Sequence, residues 1–536
     1  MSTAKLFQKP LAYLFPALIL ITFAYLLSAK LAGGVFDAGC PTYSLNMIHQ
    51  IVDYGYPASF PGVPQVAANY HQGTFWIASL GVKAFHLEPL ESLSWLIWIF
   101  SSFTVLITLW FGSKLINPNL AALVVFTAYY SASPPNGISL PFHLIKEQLD
   151  WYSYISLFEY QISTSWPIAL LLILLAILLY YKRPPGSILP LAPLFVLPYF
   201  NATAFTVTWL TCFFITIGGF PSTQMVNRKG GLNPWLNLNV KKLTQLVYLG
   251  VALLLALLAP RYFISAFTIS PDYEPASIGL RFLQPRFGQA LLKYASLMSI
   301  FSWLSIIPAI RLAKQKDSYR KFVSYGFLIS FLFPIIFWIK SIDQWDNFHK
   351  FVLLTSFFSI FVWFFYLSST YFSRKTLLIY CSISLLLSVP AIFNMATSRM
   401  ALGRPWIQFE LASSPDAKLI QYLNAKTSKV MLAPLKKEDL CSGLSSVLTY
   451  GPFSAVGYYF NNFLLSKEIE EGVAKDSKWQ ENGPQELLKK FPNHELVFIA
   501  PKELKGELRE TLDKALPFEA KSEKDFESYS VIEINK

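Results

Sequence analysis

Apolar residues along the first ~395 positions fall into about eleven runs of roughly 14 to 25 residues, parted by polar loops, and a run near 20 residues is what a helix needs to cross the ~30 Å hydrocarbon core of a bilayer. The pattern predicts spans over about 10–31, 92–113, 119–132, 164–181, 187–200, 201–220, 243–264, 288–310, 321–339, 351–372 and 376–395. This is the signature of an α-helical polytopic membrane protein with about 11 transmembrane helices. Composition agrees: 54% of residues are hydrophobic and only 14% charged, a balance that a soluble fold does not need.

The pattern changes once, near Arg399. From there the chain is polar, and helix-like stretches at Asp416 to Thr427, Gln485 to Phe491 and Glu503 to Leu516 alternate with strand-like runs at Val430 to Ala433, Leu496 to Ala500 and Tyr529 to Ile534. Residues 1–396 therefore read as the membrane domain, with a long first outer loop over 33–91. Residues 397–536 read as a small soluble α/β domain on the outer face.

Charge then orients the spans. Lys5, Lys9, Lys114, Lys182, Arg183, Arg228, Lys229, Lys241, Lys242, the Arg311 to Lys321 cluster, Arg374 and Lys375 all fall on alternate loops, about 16 basic residues against the one acid Asp317. Those loops are expected to be cytoplasmic, as is the amino terminus, with the tail extracytoplasmic. The net charge of +12 is thereby a topology signal, and no nucleic-acid partner is expected. Cys212 and Cys381 fall within spans as packing residues, while Cys40 and Cys441 fall outside them and show no metal-ligand spacing.

The same assignment gathers nearly every carboxylate of the membrane domain on the outer side. Asp37 follows the first span, where a partly desolvated carboxylate suits a general base or a metal ligand. In Ser44 to Asp53, spacings of 3, 4 and 3 put Leu45, Ile48 and Val52 on one helical face and Asn46, His49, Gln50 and Asp53 on the other, as expected for an interfacial helix. Thr74 to Phe85 is a second, shorter interfacial stretch; counting it as a span would invert every later loop. Before it comes Tyr70-His71-Gln72-Gly73, and loop two adds Glu147, Asp150 and Glu159 with Gln161 and Trp166-Pro167 at the next span's start. The six histidines all fall outside, none at the i, i+4 spacing of a zinc site.

An acid just after the first span, amphipathic helices in a long first outer loop and an aromatic-His-x-Gly element before the second span resemble the C-type glycosyltransferase (GT-C) superfamily, in particular its bacterial members that use polyprenyl-phosphate sugars. The resemblance implies transfer of a sugar from a polyprenyl-phosphate-sugar donor to a hydroxyl on a saccharide, lipid or protein acceptor, at the outer face of a bacterial plasma membrane. It implies a divalent metal, Mg or Mn, in many members, and gives Asp37 the role of acting on the acceptor hydroxyl or holding that metal. Many members place two acids together there, whereas Asp37 is followed by Ala38 and Gly39, so Glu159 or Asp150 is the candidate partner.

The carrier phosphate then needs cations, and Arg281, Arg286 and the segment Lys340 to Lys350 supply them. That segment, with Asp346, His349 and Lys350, resembles a Trp-Asp-Asn-x-x-Lys element of GT-C-like membrane proteins. Asn46, His49, Asp53, Tyr70, His71 and Gln161 complete the candidate substrate-binding set. The competing reading is a transporter or flippase of a lipid-linked saccharide, which would want ionisable groups at the bilayer midplane; Arg261 is the main one within a span.

Overall fold

The computed structural model describes residues 14–22, 72–87, 89–131, 165–184, 186–218, 234–258, 277–283, 297–340, 348–369, 374–400, 417–425, 430–434, 495–517 and 520–535, with shorter pieces elsewhere. It is mostly helical. Two compact units emerge: one holds Met1–Ala29, Ile97–Phe263 and Ser277–Pro405, the other Lys30–Leu96, Ile264–Ala276 and Trp406–Lys536.

After helical residues 14–22, the named elements in chain order are a small ribbon, β1 (Ser59–Phe60) and β2 (Val63–Ala67), followed by helices α1 (Gly73–Phe85), α2 (Pro89–Leu115), α3 (Pro118–Tyr130) and α4 (Trp166–Lys182). After them come α5 (Ala202–Gly218), α6 (Pro234–Leu258), strand β3 (Ser277–Leu280), α7 (Ile300–Leu304), α8 (Ile306–Ala313), α9 (Ser318–Ile336), strand β4 (Phe337–Lys340), α10 (Phe348–Ser369) and α11 (Arg374–Met400). Among the described residues three helices are long and apolar enough to cross a membrane: Glu91–Leu115, Ser318–Ile336 and Lys350–Ser369.

Several expected spans are shorter or broken, each for a local reason. The run at 187–200 is two 3-10 pieces, Leu189–Phe195 and Leu197–Tyr199, because Pro190, Pro193 and Pro198 remove the amide donors that an α-helix requires. The run at 288–310 is interrupted where Ser299, in extended conformation, caps α7 by accepting from the Ser302 amide. The run at 119–132 gives only the 13 residues of α3, started by the Asn117 cap with Pro118 in its first turn. The run at 321–339 stops as a helix at Ile336 and continues as β4. In the first outer loop Met47, Ile48 and Ile51 are fully buried in protein, so Ile48 does not face lipid as the interfacial reading required.

The bundle is organised around α10. Of its candidate membrane segment 89% is buried, against 56% for α2 and 44% for α9, and every residue from Phe351 to Tyr366 is buried. Such a helix can keep polar side chains only if each finds a partner. Thr355 Oγ1 meets Ser330 Oγ of α9 at 3.0 Å, Ser356 Oγ meets Ser302 Oγ of α7 at 3.1 Å, and Trp363 Nε1 donates to Ser305 Oγ at the α7–α8 joint at 2.9 Å. Ser359 Oγ donates to the Thr355 carbonyl of its own helix at 2.8 Å. Two glycines let neighbours approach: a Cβ on Gly112 of α2 would stand 2.3 Å from the Phe364 ring, and one on Gly326 of α9 would stand 2.5 Å from that of Phe358.

In the tail, α12 (Ala417–Asn424) and α13 (Lys505–Ala515) accompany a five-stranded sheet of β5 (Val430–Pro434), β6 (Ser454–Ala455), β7 (Glu495–Pro501), β8 (Ala520–Asp525) and β9 (Tyr529–Asn535), ordered β6-β5-β7-β9-β8. β5 runs parallel to β6 and β7; β9 runs antiparallel to β7 and β8. The edge strand β8 is closed by charge: Lys505 reaches Asp525 at 2.9 Å and Glu523 at 3.3 Å, Arg509 pairs with Glu523 and with Asp513 at 2.9 Å, and Lys521 reaches Asp513 at 3.0 Å. The hydrogen bonds from Lys521 and Arg509 hold the Asp513 carboxyl below its usual range, and those from Lys505 and Ser530 do the same for Asp525.

Gly326→Ala is expected to lower stability by about 1–3 kcal/mol through overpacking against a buried ring, while Gly250→Ala, with open space at its Cβ, is expected to be neutral or to gain up to about 1 kcal/mol. Denaturant titration in detergent compares the two; equal effects would remove the close approach of α9 and α10. In the tail, the two depressed carboxyls contribute stability that is complete above about pH 4 and is lost as pH falls through their lowered pKa values. Amide protection in Ala520–Asn535, corrected for intrinsic exchange, should therefore drop on acidification below about pH 4, and Asp525→Asn with Asp513→Asn should flatten that drop. An unchanged acid profile in the variant would place the acid lability elsewhere.

Candidate functional site

Where α9 ends, the chain makes an antiparallel ribbon. β3 pairs with β4 in the register Ser277 with Lys340, Ile278 with Ile339, Gly279 with Trp338 and Leu280 with Phe337. Two loops that lie about 60 residues apart in sequence are thus hydrogen-bonded together. Arg281 follows β3 directly and opens a 3-10 turn, Arg281–Leu283, that packs against α9. Leu280, Phe282 and Leu283 beside it in the chain are exposed at 37%, 57% and 72%, so the turn presents apolar surface.

On the other side of the ribbon, aromatic rings carry the contact on to α10. Phe337 packs on Phe333 with centroids 4.9 Å apart, and Phe333 stacks on Phe351 at 5.2 Å, in the first turn of α10 beside half-buried Lys350. The amino end of α10 adds its own field, since unpaired amides and the helix dipole favour an anion there. Arg281, backbone of Lys340, His349 and Lys350 therefore share one end of the bundle.

The opposite end is basic for a different reason. Phe111 of α2 meets Tyr181 of α4 at 5.1 Å, Tyr181 meets Tyr319 of α9 at 5.2 Å, and Arg311 of α8 donates to Tyr366 Oη of α10 at 2.6 Å. These contacts bring the lysine- and arginine-bearing ends of α2, α4, α8 and α9 together, as the alternate-loop assignment expected of one membrane side.

The structure places only part of the candidate set. Arg281 and His349 are placed by backbone and Lys350 with its side chain. Asp37, Asn46, His49, Asp53, Tyr70, His71, Glu147, Asp150, Glu159, Gln161, Arg286 and Asp346 lie outside the described residues. Among the described residues no group of three or more His, Cys, Asp or Glu is gathered, so none of them forms a holder for a divalent metal. Of the Tyr70 to Gly73 element, Gln72 and Gly73 are buried at the start of α1, next to Thr74, whose buried Oγ1 has no partner among the described residues. Sequence reading quoted Gln72 within that element and Thr74 at the start of the next stretch without giving either a role, although polar residues just ahead of an apolar helical run are the available signal.

Two polar or aromatic helix starts have structural roles. Trp166 and Pro167 are the buried first turn of α4. Asn201, which opens a sequon, is 2% exposed; its Oδ1 accepts from the Ala204 amide at 2.9 Å and its Nδ2 donates to Ser165 Oγ at 3.2 Å, so it caps α5. Cys212 and Cys381 are buried free thiols, as packing residues would be.

No protein-family model matches the chain, and no curated protein matches it. Among solved structures it is similar to ArnT from Cupriavidus metallidurans in the apo state, at 12% identity and a TM-score of 0.48 over 97% of each chain. It is similar too to ArnT from the same organism bound to undecaprenyl phosphate, at 11% identity and a TM-score of 0.47, again over 97% of each chain. A likeness at that level fixes neither the fold nor the chemistry of this chain.

The ribbon is open to a direct check. With the four native cysteines replaced by serine, Ile278→Cys with Ile339→Cys should form a disulfide under mild oxidation, because directly paired strand residues stand within disulfide reach. Failure to cross-link while both thiols react with a small maleimide would separate the two loops.

Proposed function

We propose that this chain is an integral-membrane glycosyltransferase that moves a sugar from a polyprenyl-phosphate carrier to a hydroxyl acceptor at the outer face. The observation that carries the reading is the ribbon of β3 and β4, which joins the turn that begins at Arg281, with exposed Leu280, Phe282 and Leu283, to Phe337, whose ring contacts run through Phe333 to Phe351 beside Lys350. A phosphate with a long hydrocarbon tail needs that combination: fixed cations for the head and apolar surface for the chain. The ribbon lies at the end of the bundle away from the basic helix ends, which supports an outer-face site under the positive-inside rule.

In this reading Arg281 and Lys350, with Arg286, Asp346 and His349, hold the carrier phosphate and stabilise its charge as the sugar departs. Asp37 takes the proton of the acceptor hydroxyl, with Glu159 or Asp150 as its partner. Asn46, His49, Asp53, Tyr70, His71 and Gln161 serve the sugar and the acceptor. Asp37 with loop two is the place for Mg or Mn if one is used, and no step here is routed through it. A flippase is the second reading, favoured by the same cation and tail surface.

Lys350→Ala should reduce use of the lipid-linked donor by about 10²-fold, as expected for loss of a charge-stabilising donor, and Lys316→Ala, at the basic end, should be nearly silent. Asp37→Asn should lower turnover by about 10²-fold or more at unchanged expression. Radiolabelled polyprenyl-phosphate sugar in membranes provides the assay, with chelation as the metal arm. Equal effects of the two lysine changes would make Lys350 structural, and lipid movement that persists without sugar transfer would favour the flippase.

A further inference from the structure

The basic end of the bundle contains a feature that topology alone does not require. α2 and α4 finish side by side, Phe111 against Tyr181, and each finishes in a lysine: Lys114 in the last turn of α2 and Lys182 as the last residue of α4. Both ammonium groups converge on one ring, Lys114 Nζ at 3.8 Å and Lys182 Nζ at 6.0 Å from the centroid of Trp110. They therefore stand within about one Debye length of each other at 0.1 M salt, close enough to repel.

A helix C-terminus accounts for one cation per helix. It does not account for two helices bringing their cations to the same ring. Among the described residues neither lysine has a carboxylate ion pair, and the acid of this end, Asp317, pairs with Arg320 at 3.3 Å. The ring's quadrupole attracts the two cations without cancelling their charge. Two exposed cations left uncancelled on one ring form a place where an external anion would be attracted.

The surfaces leading to the two lysines say what carries that anion. Along α2, Ile99, Phe103 and Leu106 are exposed at 37%, 53% and 46% and lie on the face that ends in Trp110 and Lys114, at helical spacing. From Phe103 to Lys114 the helix rises about 16 Å, close to the depth of one leaflet. Along α4, exposed Leu175 and half-buried Leu178 and Leu179 lead in the same way to Lys182. Each lysine thus tops an apolar stripe of about one acyl chain's length.

We propose that this end of the bundle binds an anionic phospholipid, its phosphate between Lys114 and Lys182 over Trp110 and its acyl chains along α2 and α4. The site is separate from the ribbon and its cations, and it stands whether the chain transfers sugars or moves lipids. Its role is to anchor the ends of two helices whose like charges would otherwise push them apart.

The test is native mass spectrometry of the full chain released from nanodiscs of mixed phosphatidylglycerol and phosphatidylcholine. The unaltered protein should retain phosphatidylglycerol in preference, and Lys114→Gln with Lys182→Gln should reduce that retention by about 30-fold, the worth of two cations at a membrane surface. Lys314→Gln with Lys316→Gln removes the same charge from the same end and should leave it unchanged, and Lys114→Arg with Lys182→Arg should keep it. Equal loss in the two glutamine pairs would overturn the proposal in favour of diffuse surface charge. So would competition by millimolar inorganic phosphate alone, which would make this a site for the free anion.

Discussion

The burial of α10 is the constraint on which the rest of the bundle depends. A helix enclosed on every side from Phe351 to Tyr366 has no water or lipid face to which a polar side chain can turn. Its hydroxyls and indole must find partners on particular neighbours, and they find them on α7, at the α7–α8 joint and on α9. Each such bond is worth on the order of 1 kcal/mol, a modest sum. Their larger effect is on register, since a slip of α10 by one residue would leave several buried donors unpaired, at about 1–3 kcal/mol each. The glycines at 112 and 326 serve the same end by letting α2 and α9 approach the Phe364 and Phe358 rings.

Register in turn decides which end of the bundle holds which charge. With α10 fixed, its carboxyl end meets Arg311 through Tyr366, and its amino end presents Lys350 beside the ribbon. The two ends differ in kind. At one, cations sit at helix ends among Trp110, Tyr181 and Tyr319, the arrangement of a headgroup collar. At the other, the β3–β4 pairing holds the turn that begins at Arg281, and Lys350 stands in the first turn of α10.

Sequence pattern made the helical membrane part, the polar tail and most tail elements legible because each rests on periodicity. Strands β5, β7 and β9 and helices α12 and α13 fall where alternation and helical spacing put them. β8 was not legible: Ala520–Asp525 is almost wholly polar and is a strand because its backbone pairs with β9 and its charges pair with α13. The breaks at 189–199 and at Ser299 were legible only in part, since hydropathy windows average over prolines and capping serines. The β4 strand was hidden for the opposite reason, as Phe337–Ile339 is apolar enough to extend the α9 run. Of the candidate site, Arg281 and Lys350 were grouped from sequence as cations for one phosphate, but the β3–β4 pairing that joins their neighbouring segments was not legible, because it is a long-range backbone contact; the Asp37 end rests on sequence alone.

That pairing also explains how α9 can stop where it does. Pro334 cannot donate to the Ser330 carbonyl four residues back, and in an apolar setting an unpaired carbonyl costs several kcal/mol. Tyr294 Oη supplies the missing donor, at 3.3 Å from the Ser330 oxygen and 3.0 Å from that of Phe331. Past Ile336 the chain leaves the helix, and non-helical backbone at membrane depth is tolerated only when its polar groups are paired within the protein. The four-residue ribbon with β3 meets that need. The proline, the tyrosine and the ribbon together let the helix end inside its own apolar run and lead the paired strand into the turn at Arg281, beside exposed Leu280, Phe282 and Leu283.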